Sequence, residues 1–332
     1  MPDEVPRIPL ARLPTPIQEL NRLSEALGGP RLYVKRDDLT GLATGGNKAR
    51  KLEYLLADAR AQGAETVITT GAAQSNHARQ TAAAAAKLGF GCVLVLGSMA
   101  PARLNGNLLI DSLVGARIRW TGGRDPYDVM QEVAEEERSI GRTPYIIPTG
   151  GSNAIGSLGY VTAMEELLDQ TREAGPTIDA IVFPTGSGGT QAGLLVGADR
   201  GDFAGRLVGV SVARPADDLA QTVMSIAQLT AAWLGSSPPA PDQIIIRDEY
   251  LGQGYGVVGA PECEAIRRLA RTEGLLLDPV YTGRAMAGLL DMIAQDEFSK
   301  EETVLFWHTG GTASLFAHAD TLLQSTSQSA AG

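Results

Sequence analysis

Short β-branched runs alternate along this chain with longer stretches in which apolar residues recur at helical spacing. Thr66-Val67-Ile68-Thr69-Thr70, Cys92-Val93-Leu94-Val95-Leu96, Leu207-Val208-Gly209-Val210-Ser211-Val212 and Val304-Leu305-Phe306-Trp307 have the pattern of strands buried on both faces. Leu32 to Lys35, Ala116 to Trp120, Tyr145 to Pro148 and Ile178 to Phe183 predict further strands. The helical period predicts one helix through Leu52, Leu55, Leu56 and Ala59 and an alanine-rich one after His77. It predicts others over 126–139, 156–170, 191–198, 216–235, 261–273 and 283–295, and a closing helix after the last strand. Near the start, Pro9, Pro14 and Pro16 predict an extended arm. Ile17, Leu20, Leu23 and Leu27 predict one amphipathic helix, ended by Gly28-Gly29-Pro30.

Alternation on this scale predicts an α/β protein, two-lobed, with mostly parallel twisted sheets and helices on both faces. The expected division is a small lobe over 50–150 inserted into a larger lobe made of 1–49 and 151–332, with the site between them. In such sheets ligands sit outside the carboxyl ends of the strands. That directs attention to the loops at 71–77, 185–190 and 308–311, and to the turn at 45–48 between the lobes.

Composition narrows the partners. A net charge of −10 argues against nucleic acid and against an anionic membrane surface. The apolar runs are strand-sized, so no membrane span is expected, and Met1 to Arg7 lacks the basic-then-apolar pattern of an export signal. Two cysteines, Cys92 and Cys263, make neither a disulfide framework nor a metal cluster, so the expected setting is a reducing cytoplasm with no bound metal. The Ser/Gln/Ala-rich tail from Ser325 to Gly332 is expected to be disordered.

The chemistry-bearing positions lie in the loops. Lys48 follows Gly45-Gly46-Asn47 at the start of a helix, where a partly desolvated amine can serve as a Schiff-base nucleophile, although a solvated lysine beside a helix cap has the same pattern. Gly186-Ser187-Gly188-Gly189-Thr190 follows a buried strand and opens a helix, an arrangement that frees amide N–H groups for a phosphate. No lysine follows as in a nucleotide P-loop, and Gln191 stands where a dinucleotide fingerprint needs its third glycine, so a lone phosphate on a small cofactor fits best. Gln74-Ser75-Asn76-His77 suits a carboxylate or a ring oxygen, and equally an N-cap. His308 before Thr309-Gly310-Gly311 leaves the same pair of readings open, a cap or an anion contact. Tyr255 and Tyr281 lie in glycine-rich turns, where a tyrosine packs, stacks on a cofactor or donates a proton.

Taken together, Gly45-Gly46-Asn47-Lys48, Gln74-Ser75-Asn76-His77, Thr185 to Gly193, Asp278-Pro279-Val280-Tyr281-Thr282-Gly283 and His308 to Gly311 resemble the pyridoxal-phosphate enzymes of the tryptophan synthase β-like fold, fold type II. Within these the chain resembles the D-cysteine desulfhydrase and 1-aminocyclopropane-1-carboxylate deaminase group, in register from about residue 8 to residue 320. The resemblance implies pyridoxal 5'-phosphate as cofactor, a small amino acid as substrate and a homodimer. It makes Lys48 the Schiff-base lysine and the acid/base at Cα, and gives the cofactor phosphate to Gly186, Ser187, Gly188, Gly189 and Thr190. Asn76 would face the ring's phenolic oxygen. Ser75, Asn76 and His77 would receive the substrate carboxylate. Tyr255 and Tyr281 would line the substrate side, one of them assisting proton transfer.

Thr282 stands where the deaminase pattern has a glutamate beside the ring nitrogen, and Thr309 where that pattern has leucine. A neutral hydroxyl favours an unprotonated nitrogen and a weaker electron sink, which suits loss of the Cα proton and expulsion of a group at Cβ. Ring opening of a cyclopropane is therefore disfavoured. The first expectation is elimination from D-cysteine to pyruvate, sulfide and ammonia; the alternative is release of sulfite from L-cysteate, for which Arg103 is a candidate cation. A protein that holds the cofactor without turnover is a third alternative, against which stand Lys48, Ser75 and both tyrosines. Two departures from the family are visible: a shorter segment over 97–107, near the expected substrate entrance, and Arg284 in place of a lysine, a change expected to be neutral at a helix start.

Overall fold

The computed structural model describes residues 5–97, 99–101 and 103–323; the tail from Ser325 to Gly332 lies outside them. In chain order the strands are β1 (Ile17–Glu19), β2 (Arg31–Arg36), β3 (Thr66–Gly71), β4 (Gly91–Leu96), β5 (Arg117–Trp120), β6 (Pro144–Ile147), β7 (Ala180–Thr185), β8 (Arg206–Ser211), β9 (Ile245–Arg247) and β10 (Thr303–His308). The helices are α1 (Asn21–Leu27), α2 (Lys48–Ala61), α3 (Asn76–Leu88), α4 (Gly106–Leu113), α5 (Pro126–Ser139) and α6 (Ala154–Ala174). They continue as α7 (Gly189–Arg200), α8 (Ala216–Trp233), α9 (Ala260–Glu273), α10 (Thr282–Ala294) and α11 (Thr312–Leu315).

Two sheets result. One has the order β1-β2-β10-β7-β8-β9, the other β5-β4-β3-β6. Every pairing is parallel except that of β1 with β2. Alternation along each strand feeds a separate core on each face. In β10, Leu305 and Trp307 pack with α6, α7 and α8, while Val304 and Phe306 pack with α1, α9 and α10. In the four-stranded sheet Val67, Leu94 and Leu96 meet α2 and α3, and Ile68, Val93 and Val95 meet α5. Each such fully buried side chain contributes about 1.5–3 kcal/mol. These layers account for the continuous apolar runs.

Ile17 to Glu19 is the one stretch where the helical period misleads. It pairs in register with Tyr33 to Lys35 of β2, and the helix starts only at Asn21. Backbone pairing with an available sheet edge outweighs a short helical spacing. Two elements, α4 and β9, lie where the hydrophobic pattern predicted neither helix nor strand.

The start of α2 is fixed by charge. Arg50, buried two residues after Lys48, donates to both carboxylate oxygens of Asp37, at 3.0 and 2.8 Å to the nearer contacts, and to Glu166 on α6 at 2.9 Å. Tyr160 and Trp307 donate to the same Asp37 carboxylate at 2.6 and 2.8 Å. Burial by itself would raise the Asp37 carboxyl, but the Arg50 guanidinium beside it holds it below the ordinary carboxylate value. A buried pair this fully hydrogen-bonded is costly to break from one side. It pins the helix that carries Lys48 to the turn that follows β2 and to α6.

Candidate active site

A cavity of about 470 Å³ opens between the two sheets, within the range of small-ligand and cofactor sites. The loops after β3, β7 and β10 and the turn before α2 all reach it. Lys48, Ser75, Asn76, His77, Gly186, Ser187, Gly188, Thr190, Tyr255, Tyr281 and Thr309 line it together. Gly189 stands behind them as the first residue of α7, and Thr282 is set back.

Lys48 reaches the cavity because two loops press together. A Cβ on Gly310 would come within 2.6 Å of Gly46 Cα, so both positions must be glycine, and Asn47 N donates to Thr309 O at 2.9 Å. The Lys48 amine has no hydrogen-bond or ion-pair partner among the described residues, and burial pushes it down to about 8. At physiological pH roughly a tenth to a fifth of it is therefore the neutral nucleophile, far more than for a lysine at its ordinary value.

At the other end of the cavity lies an anion cradle. Gly188 turns the chain with φ 84° into α7, whose N-terminus begins at the cavity wall, where Gly188 and Thr190 line it. Ser187 Oγ and Ser152 Oγ lie 2.7 Å apart, and Gly189 N donates to Ser152 Oγ at 3.3 Å. Asn47 Nδ2 donates to Thr190 Oγ1 at 3.2 Å and ties the lysine turn to this loop. Lys51, which the sequence did not single out, stands just behind this wall, its Nζ 2.9 Å from where a Cβ on Gly189 would be. Its Nζ donates only to neutral acceptors, Ser152 Oγ at 3.0 Å and Gly150 O at 3.2 Å, and it is wholly buried. Burial and the neighbouring Lys48 push this amine well below its ordinary value. A buried amine without a counter-charge among the described residues, which an anion would favour in its charged form, a helix N-terminus and two hydroxyls fit a phosphate. The i, i+3 spacing from Lys48 to Lys51 on one helix face was the available signal.

Ser75 caps α3, accepting from Ala78 N at 3.1 Å, so the cap reading holds. The hydroxyl still lines the cavity beside the first amides of α3, which is where a carboxylate binds a helix N-terminus. His77 works differently from a carboxylate ligand. Thr69 Oγ1 donates to Ile147 O at 2.9 Å, so the His77 Nε2–H must be the donor in its 2.8 Å contact with Thr69. Burial first, then Lys48 and Lys51, hold the imidazole well below its ordinary value. It is a neutral ring anchored to β3, offering the cavity its backbone amide rather than a charge.

Tyr255 and Tyr281 meet hydroxyl to hydroxyl at 2.8 Å, with rings at 75°. Burial, and for Tyr281 the Tyr255 contact as well, keeps both phenols above their ordinary value, so both are protonated at neutral pH. Arg284 is not a neutral replacement. It is fully buried, pairs with Glu262 at 2.8 Å and donates to Gly254 O at 3.1 Å and Val257 O at 2.7 Å, holding the turn that carries Tyr255.

Thr282 does not offer its hydroxyl to the cavity. That group donates to Asp278 Oδ1 at 2.8 Å and accepts from Asp278 N at 2.8 Å, closing the first turn of α10. Asp278 also accepts from Val280 N, Tyr281 N and Thr282 N, so its charge is absorbed by the helix start. His308 likewise faces away, with Nε2 against Leu276 O and Nδ1 accepting from Gly310 N. Arg103 is exposed and lies off the cavity, whereas Arg214, donating to Gly186 O at 3.3 Å and Thr222 Oγ1 at 3.1 Å, lines it.

Among the described residues no helix is long and apolar enough to cross a membrane, and no group of His, Cys, Asp or Glu could hold a metal ion. Comparison with known proteins agrees with the cradle. The chain belongs to the pyridoxal-phosphate dependent enzyme family, whose model matches residues 8–310. It is 40% identical to a solved ACC deaminase homologue, with a TM-score of 0.90 over 97% of this chain and 96% of that one. A structure of O-ureido-L-serine synthase with O-ureido-L-serine bound shares the fold at 21% identity, with a TM-score of 0.68 over 95% of this chain and 92% of that one. The fold-type II architecture and the pyridoxal-phosphate cofactor expected from the sequence are thereby borne out.

Proposed function

We propose that the chain is a carbon–sulfur lyase that eliminates the β-substituent of a small amino acid, with D-cysteine as substrate: D-cysteine and water give pyruvate, hydrogen sulfide and ammonia. The observation that carries this reading is that no carboxylate lines the cavity among the described residues. Lys51, Ser187 and the start of α7 would hold the phosphate of pyridoxal phosphate, which would supply the electron sink that allows an amino acid to lose its Cα proton. A site without a carboxylate beside the ring leaves that sink weak, which suits a good leaving group rather than carbon–carbon cleavage.

The chain's own groups divide the remaining work. Ser75 and the first amides of α3 orient the substrate carboxylate. Lys48, with its amine near 8, takes the Cα proton. The Tyr255–Tyr281 pair, protonated at neutral pH, donates to the departing sulfur. Residues 50–150 form the smaller lobe and 1–49 with 151–332 the larger. Two copies assemble as a homodimer in the cytoplasm, where the buried free thiols of Cys92 and Cys263 stay reduced.

Arg214 favours a second reading. It is a cation at the cavity wall with no carboxylate partner among the described residues, the feature that a β-sulfonate needs, and L-cysteate would then yield pyruvate, sulfite and ammonia. Pyruvate release from D-cysteine and from L-cysteate, each with wild type and Arg214→Gln, separates the two. Turnover of D-cysteine that survives Arg214→Gln supports the first. Turnover of L-cysteate alone, lost in Arg214→Gln, replaces it with the second.

A further inference from the structure

We propose that Asn107 is a positioning residue that fixes which end of the Asn76 amide faces the cofactor; this rests on the assignment of Asn76 to the phenolic oxygen. Asn107 is the second residue of α4 and is fully buried. Its Nδ2 donates both hydrogens, one to Gln74 O at 2.8 Å and one to Asn76 Oδ1 at 2.9 Å. The backbone carbonyl of Gln74 can only accept, so the Asn107 amide cannot turn over without setting its own oxygen against that carbonyl. Asn76 must then present its oxygen to Asn107, which leaves Nδ2 for the cavity. That Nδ2 lies 2.8 Å from where a Cβ on Gly311 would stand, and it has no partner among the described residues.

The support is built from both sides. Gln74 Oε1 accepts from Asn107 N at 2.9 Å, and Gln74 Nε2 donates to Asn105 O at 3.1 Å, so the start of α4 is clamped to the start of α3. Gly106 suits glycine there, because it holds φ 54° and a Cβ would fall 2.9 Å from the backbone oxygen of Ala313 as well as 2.5 Å from Gln74 Oε1. Asn107 Oδ1, buried without a partner, shows that the residue is placed for what its nitrogen does. A donor facing the ring oxygen favours the oxygen's anionic form; an acceptor there opposes it.

The test follows the absorption of the cofactor-loaded protein against pH, together with the rate at which cofactor is lost. Asn76→Ala should move the pH midpoint and speed cofactor loss. Asn107→Leu should move the midpoint in the same direction with about three- to tenfold faster loss, the span of one hydrogen bond. The double variant should move no further than Asn76→Ala alone. Asn107→Asp, isosteric but able only to accept, should shift the midpoint more than Asn107→Leu, because Asn76 then turns its oxygen to the ring; this variant stands in if Asn107→Leu does not fold. A normal midpoint in both Asn107 variants beside a shifted one in Asn76→Ala overturns the positioning role alone, as do additive shifts in the double variant. A normal midpoint in Asn76→Ala overturns the assignment of Asn76 and the positioning role with it.

Discussion

Lys51 Nζ lies 3.0 Å from Ser152 Oγ and meets no carboxylate among the described residues, so the protein buries an amine against neutral partners and holds it well below its ordinary value. Such a group costs the empty protein stability and is matched only by an anion. Lys51→Met should therefore leave the cofactor-free protein at least as resistant to heat as wild type. It should also weaken cofactor retention by roughly 10- to 100-fold, the span of one charge-assisted hydrogen bond. Equilibrium dialysis and thermal unfolding of the cofactor-free form check the two halves; tight retention in Lys51→Met would place the phosphate elsewhere.

Lys48 supplies a pH dependence of its own. Its amine is neutral above about 8, some way below the ordinary lysine value, because burial disfavours the charged form. Capture of added pyridoxal phosphate by cofactor-free protein should quicken by about tenfold per pH unit below 8 and level off above it. Stopped-flow absorbance reads this directly. A midpoint near the ordinary lysine value would mean that the amine is solvated in the empty site.

How much of this was legible in the sequence depends on the kind of position. The strands showed as β-branched runs because parallel strands are apolar on both faces, and the Thr185 to Gly193 loop showed because its glycines let a ligand approach the backbone amides at a helix start closely. Lys48 and Ser75 stand out as local signals, a lysine after two glycines and a serine before a helix. Lys51 shows only through its i, i+3 spacing from Lys48, and Arg214 and Asn107 do not show at all. Each acts through partners far away in the chain, Ser152 for Lys51, Gly186 for Arg214 and Asn76 for Asn107, and no local pattern names such a partner. Arg284 misleads for the same reason, since a helix-start arginine is ordinarily solvated whereas this one staples the Tyr255 turn.

The tyrosine pair makes a kinetic prediction. With both phenols protonated and bonded to each other, either substitution breaks a shared donor system. Tyr281→Phe should lower kcat by about 10²- to 10⁴-fold, the usual span for a lost general acid. Tyr255→Phe should cost less, and the double variant should be far from additive. Additive effects would mean that the two hydroxyls act independently.

Asp111, on the buried face of α4, has both carboxylate oxygens without a partner, and burial pushes it up to about 7 despite Arg79 nearby. The folded protein holds that proton more tightly than the unfolded chain, so this group's contribution to stability declines as pH rises from about 4 to about 7. The span is on the order of 4 kcal/mol at 1.36 kcal/mol per pH unit. Asp111→Asn should flatten the fall in unfolding midpoint across that range. An unchanged slope would assign the pH dependence to other carboxylates.

Product identity tests the central claim most directly. Cofactor-loaded protein is given D-cysteine, L-cysteate and 1-aminocyclopropane-1-carboxylate in separate reactions, with Lys48→Ala as control, and the keto acids are identified by mass. Elimination at Cβ predicts pyruvate with sulfide from D-cysteine, no 2-oxobutyrate from the cyclopropane, and neither product from Lys48→Ala. Formation of 2-oxobutyrate, or turnover that survives Lys48→Ala, would contradict it.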